Sequence, residues 1–212
     1  AKIHNTLIVL KKSIMNEQKY KVSFTTGGLY FQEAIKIASL YLQCHDWAFV
    51  SEKAKKENFL QARTSNSVVR TSREVIQRVQ TLTEDQLSLL VEGNLPDQKQ
   101  ILWLAVCKHY PLILEFATQV IREKVFHLNF QLDLIDWDTF FNSKAEWNDE
   151  LDQLTISTKE KLRQVVFRML HEADILTREN KIQTAVLSPR VVNVIRQENG
   201  DLLTIYPTLE RY

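Results

Sequence analysis

A chain of 212 residues that is 44% hydrophobic and 25% charged has ample apolar content for a packed core, which excludes disorder throughout. Only four glycines and four prolines leave few positions for tight turns, so a fold built on short hairpins is excluded and a mainly α, multi-helix bundle is expected. A net charge of +1 does not by itself point to nucleic acid, and the distribution of charge has to decide.

In chain order, residues 1–22 are basic and modestly apolar, consistent with one amphipathic helix. The run Leu7-Ile8-Val9-Leu10 is too short for a signal peptide and leads into Lys11-Lys12. Ser23-Phe24-Thr25-Thr26-Gly27-Gly28 reads as a turn that opens a helix. Its double glycine beside hydroxyl residues resembles a phosphate cradle but lacks the Lys and Ser/Thr of a P-loop. Helix 29–44 carries Leu29, Ala34, Ile37, Ala38, Leu40, Tyr41 and Cys44 at helical period. Asp46 is placed to cap a second helix, 47–58. A polar turn leads to helix 67–82, with Ser65 or Ser67 as its cap. Thr83 and Gln86 form a capping-box pattern for helix 84–92.

Helix 98–110 is apolar nearly all round, so burial on most sides is expected. Tyr110-Pro111 stops or kinks it, and helix 112–126 follows. A boundary in 127–138 divides a helical domain, 1–127, from a second domain, 128–212. The second domain contains helices 137–148 and 158–173, extended runs 174–177 and 181–187 around the turn 178–180, a helix from Pro189 to Glu198, and a last strand over 201–206. With the short segment 151–154, two helical segments precede helix 158–173 and a short hairpin follows it, an order that is winged-helix-like, with a C-terminal helix added. No uncharged apolar run reaches the roughly 18 residues of a membrane span. The longest candidate, 101–120, is broken by Lys108, His109, Pro111 and Glu115. Cys44 and Cys107 fall in apolar helical patterns, where a thiol packs as a small hydrophobe, and the cytoplasm is the expected compartment.

Charge is clustered. Residues 53–80 hold seven bases against two acids, residues 133–152 seven acids against Lys144, and residues 181–197 three bases and no acid. At 100° per residue, Val68, Ser72, Val75, Val79 and Leu82 share one face of helix 67–82, and Arg70, Arg73 and Gln77 share the opposite one. Arg63 and Arg78 add to the basic excess, and Ser67 and Thr71 stand near the helix N-terminus, where phosphate is favoured. Together with helix 47–58 this makes a helix-turn-helix-like unit over 47–82, with a turn longer than usual. An arginine and glutamine face suits a DNA groove. A solvated basic surface making ion pairs is the alternative. On helix 158–173, Leu162, Val165, Val166, Met169 and Ala173 form an inward face, and Lys161, Gln164 and Arg168 point away. Glu160 is among the latter and would repel phosphate. Lys181 would act from the wing. A tail domain for protein contacts is the alternative there.

The four tryptophans lie on helix stripes and read as core. The five histidines have no metal-ligand spacing, with each other or with the cysteines. No catalytic or dinucleotide-binding signature is present, so neither catalytic residues nor a cofactor is expected.

Ser23-Phe24-Thr25-Thr26-Gly27-Gly28-Leu29, Asp46-Trp47, Glu57-Asn58-Phe59-Leu60-Gln61-Ala62-Arg63-Thr64, Arg73-Glu74-Val75-Ile76-Gln77-Arg78 and the region Thr158 to Leu176 resemble, in this order, the BrxA family of bacterial BREX phage-defence systems. The resemblance covers roughly residues 20–190. It implies a small cytoplasmic, helical accessory protein with winged-helix-like parts. Such a protein would bind double-stranded DNA beside a methyltransferase and an ATPase, with no catalysis of its own. A scaffold that docks acidic partners within the same machinery and an antiterminator-like RNA-binding protein are the alternative readings of the basic faces.

Overall fold

Side-chain caps set most of the helix starts. The computed structural model describes residues 20–25, 27–56 and 65–209, with backbone alone for 65–68. The N-terminal helix expected over 1–22 therefore lies almost wholly outside the described residues. Helix α1, Phe31–Cys44, ends at His45 in the left-handed region (φ 49°), whose N–H returns to the Tyr41 carbonyl at 2.7 Å. Asp46 Oδ1 then accepts from the N–H groups of Ala48 (2.8 Å) and Phe49 (3.2 Å) and starts α2, Trp47–Lys56. Helix α3 is Ser65–Val79. The reciprocal box between Thr83 and Gln86 is formed and opens α4, Glu84–Glu92.

Helix α5, Leu95–His109, begins three residues earlier than the expected start at 98. Asn94 accepts from the Asp97 N–H at 2.9 Å, and Pro96 sits in the first turn, where its missing N–H costs no bond. Pro111 opens α6, Pro111–Phe126, which leaves α5 at 114° and contains one π turn, Ala117–Ile121. There follow α7, Leu134–Ala145; α8, Asp149–Asp152; α9, Ile156–Glu172, capped by Thr155; and α10, Pro189–Asn199, capped by Ser188. The chain then makes a 3₁₀ turn over Gly200–Ile205.

Helix α5 is the axis of the core. Ile101 through Cys107 are all buried, as an all-round apolar helix requires. Helices α1, α3, α4, α6 and α10 pack on it, α2 packs on α3, and α9 packs on α7. One buried cluster runs from Tyr20 to Tyr206 and includes residues on both sides of position 127. Trp103 and Trp137 are fully buried within it, each worth roughly 1.5–3 kcal/mol or more by area removed from water. Trp103 also donates from Nε1 to the Ile205 carbonyl at 3.2 Å.

The mainly α class holds, but the expected β-hairpin and last strand do not form. Among the described residues there is no strand, only isolated antiparallel bridges at Leu176–Ile182 and Gln131–Lys181. The turn at Arg178-Glu179-Asn180 is present, with Asn180 at φ 58°. Its flanking runs exchange only two backbone bonds, Thr177 N–H to the Lys181 carbonyl and Gln183 N–H to the Ile175 carbonyl, and the rest of their backbone is shared among other segments. Ile182 N–H donates to the Phe130 carbonyl, Leu132 N–H to the Asn180 carbonyl, and Ala185 N–H to the Pro207 carbonyl. Residues 201–205 form the 3₁₀ turn instead of a strand. The winged-helix description of residues 128–212 thus loses its wing. Among the described residues no single helix is long and apolar enough to cross a membrane.

Candidate nucleic-acid interface

The two faces of α3 separate as their periodicity requires. Ser72, Val75, Val79 and, just beyond the helix, Leu82 are buried. Arg70 and Arg73 are exposed, and Gln77 is half-buried. With Ser23, Thr25, Val69, Thr71 and Glu74 they line an open cleft of about 630 Å³. Arg70 Nη2 donates to Thr25 Oγ1 at 2.9 Å, so the segment before the double glycine forms the opposite wall. Neither Ser23 nor Thr25 stood out as a site residue from spacing. Their only signal was the hydroxyl-rich approach to Gly27-Gly28.

Arg78 is the exception on this helix. It is 3% exposed, so it cannot serve as a surface contact to DNA. Its Nε donates to Glu74 Oε1 at 2.8 Å and its Nη1 to the Gly28 carbonyl at 2.7 Å. Its guanidinium lies 5.6 Å from the Tyr30 ring centroid and 5.4 Å from that of Tyr110. The charge therefore neutralises Glu74 from beneath the cleft and ties the glycine turn to α3. Tyr110 donates to the same carboxylate and contacts Ser23 Oγ at 3.3 Å. Burial pushes the Tyr110 phenol well above its ordinary range; Arg78 opposes this and Glu74 adds to it. Next to it, His109 is buried, with Nε2 lacking a hydrogen-bond partner. Burial, with the positive charges of Lys21 and Arg78, lowers its pKa to about 4 against the pull of Glu74, so it is neutral near pH 7.

Helix α9 behaves in the same two-sided way. Leu162, Val165, Val166, Met169 and, just past its end, Ala173 are buried, while Lys161, Gln164 and Arg168 are exposed. Lys161 Nζ donates to Gln164 Oε1 at 3.4 Å. Arg168 Nη1 donates to the Gly27 carbonyl at 3.4 Å, and Glu172 Oε2 accepts from the Leu29 N–H at 2.5 Å. The glycine turn thus touches α3 on one side and α9 on the other. Lys181 is exposed in the turn after α9, where its backbone bridges to Gln131. It stands beside Glu179, whose carboxyl is held low chiefly by the Thr177 hydroxyl and less by Lys181. Arg63 and the Ser67 side chain fall outside the described residues. Among the described residues no group of three or more His, Cys, Asp or Glu side chains could hold a metal ion.

The sequence profile of the BrxA family matches residues 18–199. The chain belongs to the BrxA family. It is similar to curated BrxA proteins of BREX systems. One, from Bacillus cereus (strain H3081.97), is 29% identical over 86% of this chain and 93% of the relative. Another, from Escherichia coli O9:H4 (strain HS), is 26% identical over 91% of this chain and 92% of the relative. In fold it is similar to the crystal structure of an uncharacterized protein from Magnetospirillum magneticum (TM-score 0.77, 23% identity), covering 91% of this chain and all of that one. The BrxA match spans the α3 face, the glycine turn and α9 together.

Proposed function

We propose that this BrxA-family chain binds double-stranded DNA as a non-enzymatic accessory component of a BREX-type phage-defence system. The phosphates are its main contacts. One observation carries the reading: Arg70, Thr71, Arg73 and Gln77 line a single open cleft whose one carboxylate among the described residues, Glu74, is already neutralised by the buried Arg78. The cleft therefore presents guanidinium, hydroxyl and amide groups to a ligand, the set that grips phosphate and reads base edges. Helices α2 and α3 form the helix-turn-helix-like unit of this reading, and the other BREX proteins, the methyltransferase and the ATPase, are its proposed partners. Lys161, Gln164 and Arg168 supply further phosphate contacts.

The test is fluorescence anisotropy with a labelled duplex at low salt. The charge reversal Arg70→Glu with Arg73→Glu is expected to weaken binding at least tenfold while the thermal melt stays within a few degrees. Retained affinity moves the site off α3. A single-stranded RNA competitor that displaces the duplex at equal concentration favours the RNA-binding alternative.

A second reading, a protein scaffold, has its own observation. Leu128, Leu134 and Ile135 are 47–70% exposed around the connection between α6 and α7, an apolar surface on an acidic stretch. Recovery of BREX partners that is unaffected by nuclease treatment favours that role.

A further inference from the structure

We propose that the basic faces of α3 and α9 are one composite site for the backbone of a single DNA duplex, joined through the glycine turn, and not two independent surfaces. This rests on the DNA-binding reading above and deepens it. Arg70 reaches the Thr25 hydroxyl and Arg168 reaches the Gly27 carbonyl. Thr25 and Gly27 are two residues apart, at most about 7 Å of chain. Guanidinium groups from two different helices therefore flank the same short stretch. From Arg70 the row continues along α3 to Gln77, and from Arg168 it continues back along α9 to Lys161. Each row rises about 10 Å. The two rows and the turn sum to roughly 30 Å of backbone, comparable with one turn of duplex at about 34 Å.

The spacing of the two faces is fixed by the turn they share. Arg78 holds the Gly28 carbonyl from α3, and Glu172 at the end of α9 holds the Leu29 N–H. A Cβ on Gly28 would strike the Glu172 carboxylate, which would have to swing aside and give up its bond to the Leu29 N–H. Both surface arginines rest on neutral acceptors, a hydroxyl and a carbonyl. A phosphate oxygen makes stronger, charge-assisted bonds to guanidinium and displaces such acceptors. Among the described residues two acids face this junction: Glu74, paired with Arg78, and Glu172, whose carboxylate is engaged by the Leu29 N–H.

The test is calorimetric titration of the whole chain with a duplex of about 12 base pairs at low salt, roughly one helical turn. The pairs Arg70→Glu with Arg73→Glu, and Lys161→Glu with Arg168→Glu, are compared with the unaltered chain. One duplex per chain is expected. Each pair should lower the affinity of that single event at least tenfold and make the salt slope shallower by about 2. If either reversal disturbs the melt, the corresponding glutamine pair replaces it. Two duplexes per chain, with each pair abolishing one and sparing the other, would overturn the composite site. So would unchanged affinity in the α9 pair. Absence of any binding by the unaltered chain overturns the DNA reading itself and this inference with it.

Discussion

Arg78 and Arg70 are eight residues apart on one helix and do opposite work. Relative to Val75, Arg78 lies about 60° round the helix, whereas Arg70, Arg73 and Gln77 lie about 140–160° away. The angle that buries Arg78 was therefore legible in the sequence. Its partners were not, because Gly28, Tyr30 and Tyr110 are distant along the chain and only tertiary packing brings them to it. Removing one partner from a buried ion pair leaves the other charge uncompensated. Arg78→Ala is expected to lose about 3 kcal/mol of stability, a fall in Tm of roughly 6–12 °C for a chain of this size. Arg70→Ala should shift Tm little. Paired thermal melts measure this, and equal shifts in the two variants would contradict the division of roles.

His109 gives the same region a pH dependence. Its pKa falls from an ordinary 6.5 to about 4 on folding, so the unfolded chain binds the proton more tightly. The contribution to stability is complete above about pH 6.5 and is lost as pH falls through 6.5 towards 4. Between pH 7.5 and 5 the chain is expected to lose about 2 kcal/mol through this group. Urea midpoints at the two pH values check it. A His109→Leu variant should show that much less of the acid loss, and an identical acid loss would exclude His109 as its source.

At the scale of elements, helix starts were read well where a cap was recognised, because capping is local chemistry. Asp46, the Thr83–Gln86 pair and the Pro189 start all act within three residues of the boundary they set. Thr83→Ala removes the acceptor for the Gln86 N–H at the start of α4 and is expected to cost about 1 kcal/mol by chemical denaturation, with no change in DNA affinity. A loss of affinity would mean that α4 takes part in the interface. The hairpin was misread for the converse reason. Two apolar runs around an Arg-Glu-Asn turn look like paired strands. They do exchange two backbone bonds, Thr177 N–H to the Lys181 carbonyl and Gln183 N–H to the Ile175 carbonyl, but the pairing stays too short for strands because Ile182 and Ala185 donate to the Phe130 and Pro207 carbonyls instead. The early start of α5 was missed because the apolar run begins only at Ile101, whereas the cap lies at Asn94.

Across the whole molecule, the helical class and the inward faces of α3 and α9 follow from composition and periodicity. The all-round apolar character of α5 likewise explains its place at the axis of the core. The convergence of the two outward faces does not follow from either helix alone. It depends on the Ser23–Gly28 segment, which reaches both α3 and α9. The near-neutral net charge conceals the clustering of bases and acids along the chain, which is why composition alone says nothing about nucleic acid here.

Binding through these faces neutralises phosphates and releases counterions, so it must depend steeply on salt. The decisive measurement is the affinity of the full chain for a 20-base-pair duplex between about 50 and 200 mM salt. Arg70, Arg73, Lys161 and Arg168 acting together give an expected log–log slope of roughly −3 to −4, about a hundredfold loss over that range. Absence of binding at 50 mM, or an affinity that changes less than about twofold across the range, would contradict DNA binding through these faces.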